Sequence, residues 1–197
     1  MSSPIPISVL NGSGRYKHSF TDLAIPTRGL PLVLSRIYSS DQQKTAPRFG
    51  WDWSFQDRLT IEPNSGTVFH IQPGNVVHAF TNSGGVFTPT ESEVTDKLTQ
   101  IDDHHYQILT KSKMRMIYEV PSGVTVSATV PFEAPVHQQI DRNDNANTFT
   151  WDAQGKRLAR IEGPDPSQYL KFTWTNDRGP DKVFDHTGRC VVYGYQS

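Results

Sequence analysis

The sequence predicts an all-β chain of antiparallel hairpins, and three observations carry that prediction. Fourteen glycines and fourteen prolines punctuate 197 residues of which 11% are aromatic, a composition that suits many short strands joined by tight turns. Between the turns, apolar and polar residues alternate with a period of two, the mark of a half-buried strand. Long helical periodicity is missing: the best helical candidate, Glu91 to Thr99, reads as a loop or one short turn. Helix is therefore expected far below the roughly 30–35% of an average domain.

Residues 1–20 carry Pro4, Pro6, Gly12 and Gly14 among polar residues and read as an extended N-terminal arm. Leu30, Leu32 and Leu34 then alternate with Pro31, Val33 and Ser35, which predicts a strand. In FGWDWSFQDRLTIE, Trp51, Trp53 and Phe55 share one face, Asp52, Ser54 and Gln56 the other, and Leu59 and Ile61 keep the parity. This predicts one long aromatic strand, or two in line. Asn64-Ser65-Gly66, Pro73-Gly74-Asn75 and Asn82-Ser83-Gly84-Gly85 are hairpin turns between short alternating runs. YQILT, MRMIYEV and VTVSATV continue the series around Pro121-Ser122-Gly123, so residues 21–140 read as a β-meander.

Residues 141–197 contain an internal repeat. NTFTW, LKFTW and VVYGY superpose with offsets of 23 and 21 residues, aligning Trp151, Trp174 and Tyr195. Each unit is an aromatic strand, a glycine-bearing turn and a second strand, RLARIEG or DKVFD. A lone hairpin of about 20 residues does not bury its own apolar face, so such units stack on neighbours.

The repeat resembles the YD repeat of Rhs proteins, teneurins and BC-type insecticidal toxin shells, which runs aromatic-x-Tyr-Asp-x-x-Gly-Arg-Leu. Phe149-Thr-Trp151-Asp152-Ala-Gln-Gly155-Lys-Arg157-Leu158 matches it with Trp for Tyr and one inserted residue. Trp174 repeats the aromatic position, and Gly188-Arg189 leading to Tyr193 and Tyr195 resembles the other half of the unit. Gln196 stands where the family often has Asp. A second stretch resembles the segment that opens Rhs-type repeat regions: Asp22-Leu23-Ala-Ile-Pro26, Arg28-Gly29-Leu30-Pro31, Arg36-x-Tyr38-Ser39-Ser40, and Phe49-Gly50-Trp51 followed by Trp53.

The resemblance implies the N-terminal part of a hairpin strip that spirals into a hollow shell, a β-cocoon enclosing a toxic C-terminal domain until delivery. It implies bacterial origin and export by a dedicated system, such as type VI secretion, with the protein cytoplasmic before export. Its partners would be further YD-repeat segments, the enclosed toxin, and a secretion apparatus or chaperone. The motif residues would be architectural, and the chain itself non-catalytic and without cofactor. Known shells contain many more repeats, so the chain is expected to form one piece of a larger shell.

Composition narrows the alternatives. Nineteen Lys and Arg against twenty Asp and Glu leave no basic excess for nucleic acid. No charged start and apolar run marks a signal peptide, and no apolar run approaches the ~20 residues that span a bilayer. Asp102-Asp103-His104-His105 reads as a polar hairpin turn, because neighbours on a strand face opposite ways and do not converge on one ion. Cys190, the single cysteine, alternates with Val192 and reads as a buried small hydrophobe rather than a nucleophile. The tryptophans read as core rather than sugar platforms, since they occupy repeated strand positions. A surface-displayed β module for adhesion or carbohydrate contact is the alternative function; a glycosidase would need a convergent carboxylate pair, which no motif suggests. Finally, VVYGY predicts a last strand with one unpaired edge and an aromatic face bare of neighbours.

Overall fold

The computed structural model describes residues 8–10, 15–40 and 51–195. Among these there is no α-helix; the chain is all-β, with seventeen strands that pair antiparallel throughout. Among the described residues no helix is long and apolar enough to cross a membrane.

Four strands form a small sheet in sequence order: β1 (Ser8–Leu10), β2 (Arg15–Ile25), β3 (Leu32–Ser39) and β4 (Trp51–Trp53). Strand β2 runs without a break from the predicted arm into the predicted meander. Its register against β3 slips between Thr21 and Leu23, leaving Asp22 as the extra residue of a β-bulge. Such a bulge turns one side chain out of the alternation, and at Asp22 this has a consequence described below.

The aromatic run at 51–62 is not one strand, nor two in line. Gln56 N–H closes a turn onto the Trp53 carbonyl (2.9 Å), and the chain leaves the small sheet for β5 (Arg58–Glu62) in a second one. The inward parity survives: Trp53, Phe55, Leu59 and Ile61 are all buried.

The second sheet has thirteen strands. Strands β5, β6 (Thr67–Gln72), β7 (Val76–Ser83) and β8 (Val86–Pro89) form one arm, joined by the three predicted turns. Strands β9 (Lys97–Gln100), β10 (His105–Leu109) and β11 (Arg115–Glu119) form another. Both arms hang from β12 (Phe132–Ile140), whose first half pairs with β5 and second half with β11 and β13. They curl until β8 lies beside β9, so residues 58–140 form a rolled, barrel-like unit. Sequence reading missed β12 because Pro135 sits inside it. Proline lacks the ladder donor and is confined to strand edges and irregularities; here it marks the place where β12 changes partner. Conversely, VTVSATV is not a strand. Ser127 Oγ accepts the Thr129 and Val130 N–H groups, folding the segment into a turn that leaves Val126 and Val130 exposed.

Inside the rolled unit three polar side chains meet in the core. Tyr118 donates to Asp57 Oδ1 (2.8 Å), His70 Nε2 lies 3.0 Å from the same oxygen, and Tyr118 Oη is 2.9 Å from His70 Nε2. Burial foremost, then the Asp57 carboxylate, holds the Tyr118 phenol well above its ordinary range, so it stays a donor. The trio links the β5–β8 arm to β11 across the core. Tyr118→Phe leaves Asp57 short of a donor and is expected to cost about 1–3 kcal/mol, read as a lowered urea midpoint with an unchanged slope; a midpoint equal to the parent's would deny the trio any role in holding the arms together.

The repeat region extends the sheet sideways, strand by strand: β13 (Ala146–Trp151), β14 (Leu158–Glu162), β15 (Tyr169–Thr173), β16 (Lys182–Asp185) and β17 (Cys190–Val192). Leu158, Ile161, Leu170, Phe172 and Val183 face the small sheet and join its Leu23, Ile25, Leu32 and Leu34 in one core. Cys190 is exposed, correcting the expected burial. On the edge strand β17 it shares the outward face with Val192, while Val191 packs on the core.

Candidate functional site: an interlock between the two sheets

The residues singled out in the sequence gather at the seam between the sheets. Asp22, presented by its bulge, accepts two hydrogen bonds from Arg36 (Nε 2.7 Å, Nη2 2.9 Å) and a third from the Tyr193 hydroxyl (2.8 Å), 171 positions away. Arg36 lies between Phe20 and Trp53 in the cross-strand register, with its guanidinium over the Phe20 and Tyr193 rings at 5.8 and 5.6 Å. Trp53 meets Tyr193 edge-on at 4.8 Å. The opening signature and the closing repeat are therefore two halves of one contact. Burial, and then the bond to Asp22, drive the Tyr193 phenol far above its ordinary range; the Arg36 guanidinium is raised as well, chiefly by its bond to Asp22.

This contact corrects the expectation of a bare aromatic face after β17. Tyr193 is docked on the small sheet, and Tyr195 donates to the Pro180 carbonyl (2.9 Å). The outer edge of β17 pairs with no strand among the described residues.

The repeated aromatics follow one rule. Trp151 Nε1 donates to the Val136 carbonyl (2.7 Å), Trp174 Nε1 to that of Leu158 (2.7 Å) and Tyr195 to that of Pro180. Trp151 and Trp174 pack half-buried against the core, and each polar tip takes a carbonyl of the preceding strand or just before it: Val136 within β12, Leu158 at the start of β14 and Pro180 just before β16. This requires Trp or Tyr and excludes Phe. Phe55, from the turn after β4, inserts among these rings, 6.1 Å from Trp151, 5.2 Å from Phe172 and 6.4 Å from Trp174.

The acidic residue after the aromatic has an equally plain role. Asp152 Oδ1 accepts the Lys156 N–H, and Gly155 takes a left-handed φ of 68°. Asp185, Gly188 (φ 88°) and Arg189 repeat the arrangement, as do Asp141, Asp144 (φ 64°) and Asn145, and Thr110, Lys113 (φ 67°) and Met114. In all four turns the first side chain accepts the fifth N–H and the fourth residue is left-handed. The sequence marks both glycine-bearing turns and places a turn at Asp144-Asn145-Ala146; the turn at Lys113 is missed, because lysine adopts the conformation without advertising it.

Close approach explains two further signature positions. A Cβ on Gly29 would lie 2.5 Å from Asn145 Cβ, and one on Gly155 only 2.4 Å from Pro121 Cγ. The segment around Gly29 is held there by Asn147 Nδ2 on the Leu30 carbonyl (3.1 Å) and Gln168 Nε2 on the Pro26 carbonyl (3.4 Å). Pro26 and Pro31 are exposed at its ends, Leu23 and Ser39 are buried, and Tyr38 is half-buried 5.9 Å from Tyr16. Gly188 has open space around it, so its left-handed φ is the reason for glycine. Gly50 and the Trp51 side chain lie outside the described residues. Phe55, Gly179 and Asn147 complete the seam without a sequence signal beyond ordinary apolar or turn chemistry, whereas Asp185 stands in the stretch 183–189 that resembles the repeat.

Asp102–His105 forms the turn between β9 and β10, where Asp102 Oδ1 accepts the His104 and His105 N–H groups (2.8 and 2.9 Å). Among the described residues no group of three or more His, Cys, Asp and Glu is placed to hold a metal ion.

An all-β chain whose two sheets are pinned by paired sequence signatures is what fold and site define. A family model described as a domain of unknown function, DUF6531, matches residues 5–80. That span contains Asp22, Arg36, Trp53 and Phe55, the first half of the interlock. No curated protein matches the chain.

Asp185 supplies a pH test. Burial opposes its ionisation, but hydrogen bonds from Thr187 and Arg189 outweigh that and lower its carboxyl to about 2. Against an unfolded value near 3.9, its contribution is present above about pH 4 and is lost as pH falls towards 2. Asp185→Asn should flatten the loss of stability between about pH 4 and 2 followed by denaturant melts; an acid limb as steep as the parent's would show the turn carboxylate to be irrelevant.

Proposed function

We propose that the chain is a structural, non-catalytic segment of an Rhs/YD-repeat shell that encloses a C-terminal toxin for delivery to competitor or host cells. One observation carries this reading: the repeat unit adds to the sheet by a single rule. Strands are added in sequence order, and the aromatic closing each repeat strand bonds a carbonyl in or just before the preceding strand. A rule that depends only on the previous unit can be repeated indefinitely, as a spiralling strip requires. The motif residues bond and pack within the protein, which favours architecture over ligand contact. The indole N–H groups of Trp151 and Trp174, for instance, are taken by carbonyls.

In this reading the partners are further YD-repeat sheet along the β17 edge, the enclosed toxin, and a chaperone or secretion apparatus that exports the assembly from the bacterial cytoplasm. Tagging the chromosomal gene and imaging its native product by electron cryomicroscopy tests the proposal. The expected particle is a hollow β-walled shell that shields a second polypeptide from added protease. A particle without enclosed polypeptide, which binds oligosaccharides on a glycan array, would replace the shell with a surface binding module.

A further inference from the structure

We propose that the cleft beside the β11–β12 bulge is a docking pocket for one basic side chain, Arg or Lys, carried on an extended segment of another protein. The inference stands on the cleft alone and is independent of the shell reading.

The pocket encloses about 250 Å³, below the roughly 300–1,000 Å³ of sites that take up a whole small molecule. That size suits a single long side chain. Pro121, Pro135, Phe149 and Trp151 line it together with Glu119, His137 and Asp152; no Lys or Arg lines it. Apolar rings and prolines match the methylene stem of a basic side chain, and carboxylates match its head. His137 is itself the extra residue of the bulge, where Ile117 pairs with Gln138 and Tyr118 with Val136. The bulge brings its Nδ1 to 3.0 Å from Glu119 Oε2. The other Glu119 oxygen is 3.9 Å from His105 Nε2, and His105 Nδ1 lies 2.8 Å from Asp102.

A wider cleft of about 610 Å³ adjoins this pocket, shares Glu119 and Ser122 with it, and adds Asp102 and Asp103, again without a Lys or Arg. In a chain of nineteen basic and twenty acidic residues, a track lined by four carboxylates and no fixed cation is a segregation of charge. It has room for an extended segment on either side of the seated residue.

Titration of the full chain with acetylated tetra-arginine, followed by calorimetry, tests the pocket. Saturable binding is expected, about tenfold or more weaker in Glu119→Gln combined with Asp152→Asn; the asparagine keeps the acceptor that caps the turn. Tetra-glutamate should not bind. Thermal melts of each variant separate a lost site from a lost fold, and Glu119→Gln alone, if stable, must still weaken binding. The proposal is overturned by an absence of saturable binding to the parent, by equal affinity in the stable variants, by spermidine binding as tightly as the peptide, which would make the guest a free polyamine, or by a neutral oligosaccharide occupying the cleft.

Discussion

A single carboxylate holds the two sheets in one relation. Asp22 stands out of the β2–β3 ladder at a bulge and takes three donors, two from the strand beside it and one from the far end of the chain. Hydrogen bonds to a charged group are each worth about 1.5–3 kcal/mol when their partners are desolvated. Removing the donors while leaving the carboxylate largely covered costs more than removing the pair. The apolar seam of Leu32, Leu34, Phe55, Phe149 and Phe172 supplies most of the adhesion but is indifferent to small slides. The Asp22–Arg36–Tyr193 cluster selects one position, because three directional bonds and a flanking Trp53 edge are satisfied together only there.

Around that point the architecture alternates between devices that specify and surfaces that fill. In the rolled unit the filling is done by Phe80, Ile108, Leu59 and Val136, and the specifying by Asp57, His70 and Tyr118, which bridge strands far apart in sequence. In the repeats the specifying groups are local: an aromatic tip on a neighbouring carbonyl and a capped turn with a left-handed fourth residue. Local devices suit a structure built by repetition, because no unit depends on a distant one. Non-local devices suit a unit that occurs once.

Most of the strands were legible from alternation, and most turns from Gly, Asn and Pro, because those signals are written within a few residues. Alternation failed where tertiary context overrides it. VTVSATV has the period of a strand but sits where Ser127 can bond its own backbone, and Cys190 has the apolar neighbours of a core residue but lies on the outer face of an edge. Pro135 hid β12, since a proline argues against a central strand unless the strand is about to change partners there. The members of the interlock were each visible as motif positions. That Asp22 and Tyr193 touch was not, because nothing local marks a pairing across 171 positions.

A double-mutant cycle between Asp22 and Tyr193 tests the interlock most directly. Asp22→Asn, Tyr193→Phe and the double variant would be compared with the parent by urea unfolding. The account predicts a coupling energy of about 0.5–3 kcal/mol between the two sites, the range for contacting groups in one hydrogen-bonded network. It also predicts earlier hydrogen exchange at both β2 and β17 in either single variant. Additive effects within about 0.5 kcal/mol, with exchange disturbed only at the mutated strand, would mean that the two signatures fold side by side without holding each other.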